Sequence, residues 1–181
     1  MKKRLSAILV LFLLAFILGM SAKTDAYSEP REALIAKEKD VLVIPSYLAN
    51  NKALFFFINS TDNLGAAYVQ KGLFGWKTGM LTWSPMDQER KYEKLSGYQG
   101  YGENLIYGII RNGDKHMVQI GEEHATILDL TAVLSSSEVE KFKLDGLSIW
   151  YYESDDELLT EDEKEIILVD KDTGEELDMI Y

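Results

Sequence analysis

Residues 69–83 read VQKGLFGWKTGMLTW, and the reading of this stretch decides between an α/β and a β fold. Gly72, Gly75, Lys77 and Thr78 have the look of a phosphate-binding loop. Such a loop needs a glycine directly before Lys-Ser/Thr, because backbone N–H groups must wrap the phosphate, and a helix directly after it. Trp76 stands where that glycine is required, and Thr78 is followed by GMLTWSP, whose aromatic and β-branched residues and closing proline favour a strand. Two glycines bracketing Leu73 and Phe74 permit a kinked or bulged hairpin instead. The stretch therefore joins two strands, and Trp76 is expected to pack against their sheet.

Upstream of it the pattern is also β. Residues 41–44 form a short apolar run, and 53–58 (ALFFFI) are continuously apolar and aromatic, as in a strand covered on both faces. Asn50 and Asn51 supply turn chemistry between the two. The third and fourth strands fall at 65–71 and 80–83. Ahead of them, Ser28 is placed to cap a short helix through EPREALIAKEK, with Glu29 and Pro30 in its first turn.

Downstream, residues 85–104 are polar, contain glycine and tyrosine, and keep no period, which reads as a long connection or a domain boundary. Seven short strands are expected after it, at 105–111, 116–120, 125–130, 139–143, 147–153, 165–169 and 176–180, with turn signals between them. That density suits a small sandwich of immunoglobulin-like type, with Trp150 of LSIWYYE as its buried inter-sheet tryptophan. The fold class is thus mainly β (α+β): a short N-terminal helix with an antiparallel sheet over 27–98, then an immunoglobulin-like β-sandwich over 99–181.

Lys2, Lys3 and Arg4 precede an almost unbroken apolar run, LSAILVLFLLAFILGM, at 5–20. This is the layout of a signal peptide, so 1–26 is expected to be a signal peptide or an uncleaved membrane anchor. Thr24 and Ala26 satisfy the small-residue rule for a cut before Tyr27, and Gly19 with Ser21 offers a weaker one. Left uncut, about 16 to 18 apolar residues suffice for a short anchor, and the basic cluster would leave the rest outside the cytoplasm. The chain has no cysteine, so an exported body must hold together by packing and hydrogen bonds alone. Without Lys2, Lys3, Arg4, Lys23 and Asp25, the 19 basic and 30 acidic residues fall to 15 and 29, a net charge of −14. Such a body repels nucleic acid and anionic lipid and attracts cations, cationic peptides or basic proteins.

Motifs for catalysis are weak. His116 and His124 lie on neighbouring predicted strands and could share a metal if opposed across a hairpin, but ordinary strand positions explain them better. The tail VDKDTGEELD offers Asp170, Asp172, Gly174 and Glu176. EF-hand spacing fails there, because Gly174 holds the fifth position and the sixth is not glycine, whereas a type I turn with a glycine bulge fits. The acidic cluster at 153–165 reads as a solvated loop. No G-x-S-x-G elbow surrounds Ser135, Ser136 or Ser137. No metal, cofactor or catalytic residue is expected. Trp76, Tyr92, Tyr98 and Tyr101 form the candidate ligand or partner surface, able to stack on sugars or peptides; core packing of Trp76 and loop anchoring by the tyrosines compete with that reading.

In order along the chain, the basic-apolar N-terminus, EALIAKEKDV, ALFFFI, KGLFGWKTG, LIYGII, LSIWYYES and LVDKDTGEEL resemble small uncharacterised envelope proteins of Bacillus-type bacteria. KGLFGWK carries the sharpest part of the likeness. Those proteins commonly bear a lipid-accepting cysteine where this chain has Met20, so lipid attachment does not carry over. The resemblance implies compartment and architecture and no catalytic residue. The expected role is a non-catalytic binding or regulatory module at the cell envelope, secreted or anchored, with an envelope protein, a peptide or a glycan as partner. No nucleic acid is expected, and membrane contact only through the N-terminal segment. The competing readings are a metal-dependent or hydrolytic envelope enzyme around His116 and His124, and a structural or immunity-type protein that binds another protein.

Overall fold

The computed structural model describes residues 26–102, 104–154 and 165–180. The apolar run at 5–20 and most of the acidic cluster at 153–165 lie outside the described residues. Among the described residues no helix is long and apolar enough to cross a membrane.

The described residues are mainly β, built as three antiparallel four-stranded sheets with short helices. The first sheet is a meander of β1 (Leu42–Leu48), β2 (Lys52–Ile58), β3 (Asn63–Gly72) and β4 (Gly75–Pro85), in that order. Its strand β2 alternates perfectly between two cores. Leu54, Phe56 and Ile58 face one core; Ala53, Phe55 and Phe57 face the other. A strand with apolar neighbours on both faces has to be apolar at every position, which is why ALFFFI shows no alternation. The second core is closed by helix α1 (Pro30–Lys37), which lays Ala33 and Leu34 on the sheet beside Trp76. Ser28 does not cap that helix: Glu29 holds the cap position without a side-chain bond, and the Ser28 hydroxyl instead donates to Glu32 at 2.8 Å.

The other two sheets come from the second half of the chain. One has the order β5 (Gln99–Tyr101), β6 (Leu105–Arg111), β10 (Leu147–Glu153), β9 (Thr126–Asp129). The other has the order β12 (Glu176–Ile180), β11 (Ile166–Asp170), β7 (His116–Ile120), β8 (Glu123–His124). They face each other over a third core in which Ile106, Ile110, Trp150 and Tyr152 meet Val118, Ile120, Ile166 and Leu168. Trp150 is fully buried there, and a methyl group on Gly108 of the adjacent strand would lie within 2.9 Å of its indole. The opposite face of the β6–β10 pair, with Tyr107, Ile109, Leu147 and Ile149, packs on the first sheet. The β5-β6-β10-β9 sheet is therefore the middle layer, and the largest core joins residues on both sides of position 98.

Two expectations about elements need correction. Residues 139–143 are no strand: 139–142 belong to helix α3 (Ser136–Phe142), which Lys143 ends in a left-handed conformation and which follows a single turn, α2 (Leu130–Val133). Ser135 caps α3 in a capping box, its hydroxyl accepting from the Glu138 N–H while the Glu138 carboxylate accepts from the Ser135 N–H. Together α2 and α3 close an edge of the largest core with Leu130, Val139 and Phe142. The connection at 85–104 is also less irregular than expected, since β5 lies within it. Arg90 pins its middle, donating to the Asp62 carboxylate at 2.5 Å and to the Asp87 carbonyl at 2.6 Å.

Candidate functional site

The four aromatic residues proposed as a surface do not form one. Trp76, Tyr92 and Tyr101 are 6%, 4% and 8% exposed, and only Tyr98, at 41%, faces solvent. The physical reason is the same for the three buried rings: each sits where a loop or hairpin crosses a core. Trp76 lies on the face of β4 covered by α1, Tyr92 anchors the long connection, accepting the Asp87 N–H at 2.7 Å, and Tyr101 ends β5 with its hydroxyl donating to the Met80 carbonyl.

The histidines are not opposed either. His116 pairs with Asp170 of β11, while His124 pairs with Gln119 across the β7–β8 hairpin. One ring nitrogen of His116 lies 3.1 Å from the Arg111 carbonyl. Among the described residues no group of three metal-ligating side chains converges. In the tail, Asp170 turns inward on its own loop, accepting from the N–H groups of Asp172 and Thr173, and Gly174 takes a φ of 72°. Those bonds hold the Asp170 carboxyl below the usual carboxylate range. A turn with a glycine bulge explains the letters.

A different constellation does converge, at the end of the interface between the first and middle sheets. Glu153, the last residue of β10, points its carboxylate at three strands of the first sheet at once. The Tyr47 hydroxyl from β1 and the Lys52 ammonium from β2 each donate to its Oε1 at 3.0 Å, and the Tyr68 hydroxyl from β3 donates to the same oxygen. Lys52 also sits 3.9 Å above the Tyr68 ring centre, and Tyr68 meets the Tyr101 ring edge-on at 5.0 Å. Strand geometry produces this convergence. Tyr47 follows a register shift between Pro45 and Tyr47 in the β1–β2 pairing, and Tyr68 lies within the shift between Ala67 and Val69 in the β3–β4 pairing. Both irregularities re-aim a side chain at the sheet's end.

Around this carboxylate lies an open cleft of about 500 Å³, with Gln70, Tyr101 and Asn104 on its walls. Its electrostatics are self-compensating, one carboxylate against one ammonium with two phenols as donors. Burial, together with the Glu153 charge and the hydrogen bonds to it, drives the Tyr47 and Tyr68 hydroxyls far above the ordinary phenol range. Burial raises the Tyr101 hydroxyl as well. A phenol raised in this way keeps its proton throughout the physiological range, so it can donate a hydrogen bond but cannot serve as a base or nucleophile. The phenol protons are spent on Glu153 and on the Met80 carbonyl, so what the cleft offers a ligand is aromatic edges, the amide groups of Gln70 and Asn104 and the remaining N–H groups of Lys52, which is the equipment of a binding site. No signal in the sequence pointed to Glu153, because its partners lie 85 to 106 residues away along the chain.

Comparison of the chain with protein-family models, with curated proteins and with solved structures finds no match.

Proposed function

We propose that the protein is an exported, non-catalytic binding module of the bacterial cell envelope that takes a polar ligand, a peptide or a glycan, in the cleft beside Glu153. The observation that carries this reading is the set of phenols converging on that carboxylate. They are held protonated and donating, the opposite of the tuning that acid–base or nucleophilic chemistry requires. The N-terminal layout of Lys2, Lys3, Arg4 and the apolar run supports the compartment, as does the likeness to Bacillus-type envelope proteins.

The immunoglobulin-like reading of residues 99–181 belongs to the same proposal. Lettered in chain order, β5 to β12 become A, B, C, C′, D, E, F and G. The two facing sheets are then A-B-E-D and G-F-C-C′, the arrangement of immunoglobulin-type sandwiches. The helices α2 and α3 are an insertion between D and E, and the inter-sheet tryptophan comes from E. Such folds serve binding in many settings, which supports the class of function and no particular ligand.

The test is a titration of the protein with oligomers of N-acetylglucosamine and with oligolysine, followed by the amide signals of Gln70, Tyr101 and Asn104 in NMR. Saturable shifts confined to these residues, lost in Tyr68→Phe, are expected with one of the two probes. Shifts elsewhere only, or turnover of a probe, would overturn the reading.

A further inference from the structure

The β3–β4 hairpin carries apolar side chains that the core does not use. Leu73 at its tip is 99% exposed and Phe74 is half exposed. Both are held out rigidly, because Gly72 pairs with Gly75 and leaves only these two residues in the turn. Lys71 and Lys77 bracket the tip, in a body that is otherwise strongly acidic. Tips of solvated hairpins are ordinarily built from Asn, Asp and Gly, so a Leu-Phe tip flanked by lysines needs another environment.

The position of the N-terminal chain says which environment. Tyr27 forms an isolated antiparallel bridge with Trp76, its N–H donating to the Trp76 carbonyl at 2.9 Å and its carbonyl accepting from Trp76 at 2.8 Å. The first described residues are thus bound to the hairpin two positions from Phe74. The apolar run at 5–20 ends seven residues before Tyr27, and seven residues reach at most about 25 Å. Any bilayer that holds this run keeps the tip within reach of its own surface.

From this juxtaposition, the geometry points to the Leu73-Phe74 tip as a second membrane contact: it inserts into the phospholipid interface beside the N-terminal anchor, with Lys71 and Lys77 at the headgroup phosphates. The inference rests on the anchored form of the envelope reading. A pair of apolar side chains binds a bilayer only marginally and reversibly, so the tip acts once the anchor has raised its local concentration. Long side chains of lysine suit this place, since their stems lie along apolar surface while the ammonium stays with the headgroups. The consequence is orientation: the tip and the anchor together would fix which end of the molecule faces away from the membrane.

The absence of cysteine makes the test clean. Leu73→Cys in the full-length chain, labelled with an environment-sensitive fluorophore, is reconstituted into vesicles of equal parts phosphatidylglycerol and phosphatidylcholine. Asp172→Cys is the control. It sits in the turn after β11, which Lys171 ties to the Gly113 carbonyl, at the opposite end of the sheets from Glu153. The label at 73 is expected to be quenched by spin-labelled lipid, at a depth of about 5–10 Å, and shielded from iodide, while the label at 172 stays open to iodide. In the Lys71→Glu, Lys77→Glu background the label at 73 is expected to rise towards water. If the chain floats with the vesicles but position 73 is as open to iodide as 172, the tip contact is wrong and the anchor stands. If the label is shielded from iodide yet untouched by the lipid quencher, protein covers the tip, and the proposal is likewise overturned. A chain that fails to float overturns both readings.

Discussion

Gly75 shows how much one residue can decide. Its φ of 131° suits glycine alone, and a methyl group there would lie 2.5 Å from the Tyr27 carbonyl oxygen. Gly75→Ala is expected to break the Tyr27–Trp76 bridge and lower stability by about 1–3 kcal/mol in urea denaturation. Gly100→Ala, with open space around it and no positive φ, should stay within about 0.5 kcal/mol of the parent. Tyr107 allows a second prediction at this scale. Burial pushes its hydroxyl up to about 12, against about 10 in the unfolded chain, so the protonated phenol contributes fully below about pH 10 and its contribution is lost as the pH rises through 12. Denaturation measured from pH 8 to 12 should therefore show stability falling above pH 10, by on the order of 2–3 kcal/mol through this group, and less steeply in Tyr107→Phe. Trp76 and Trp150 were legible as core residues because each lies in a run whose other letters are strand-forming. Tyr92 and Tyr101 were not, since nothing near them in sequence records that a loop folds back onto a core.

At the scale of elements, β6, β7, β10 and β12 have the bounds that the sequence pattern implies: turn residues stand on both sides of the first three, and β12 begins directly after the DKDTGE turn. The strands β5 and β8, of three and two residues, are too short to carry a period. Helix α3 is the instructive failure. VEKFK is too short a run to show a strand period, its two apolar residues Val139 and Phe142 stand three apart as on a helix face, and Ser135 and Glu138, also three positions apart, spell a capping box just ahead of it. The helix buries no residue fully, so its cap matters more than its apolar face. Ser135→Ala should remove about 1 kcal/mol of stability and fray the first turn, seen as faster amide exchange at Glu138 and Val139. Ser136→Ala, one residue inside the helix, should not. The Glu153 constellation lies beyond pattern reading at any element, since it exists only where strand ends from two sheets meet.

For the whole molecule, the middle sheet sets the terms. Tyr107, Ile109, Leu147 and Ile149 on one face belong to the core shared with the first sheet, while Ile106, Ile110, Trp150 and Tyr152 on the other belong to the core shared with the third. Alternation along β6 and β10 thus commits the apolar residues of these strands to one of two cores, and neither face of their middle is left for water. Residues 99–181 taken alone keep the sandwich core apart from Leu95 but expose the opposite face of β6 and β10 as one contiguous apolar surface. Patches of that kind are not tolerated on soluble monomers. A fragment of residues 99–181 is therefore expected to be poorly soluble or self-associated, and to bind a hydrophobic dye. The chain from Tyr27 onward should instead melt in one transition, with calorimetric and van't Hoff enthalpies in agreement. A monomeric fragment that unfolds cooperatively and leaves the dye dark would mean that the two halves fold as independent units and that the core between them is only a docking face.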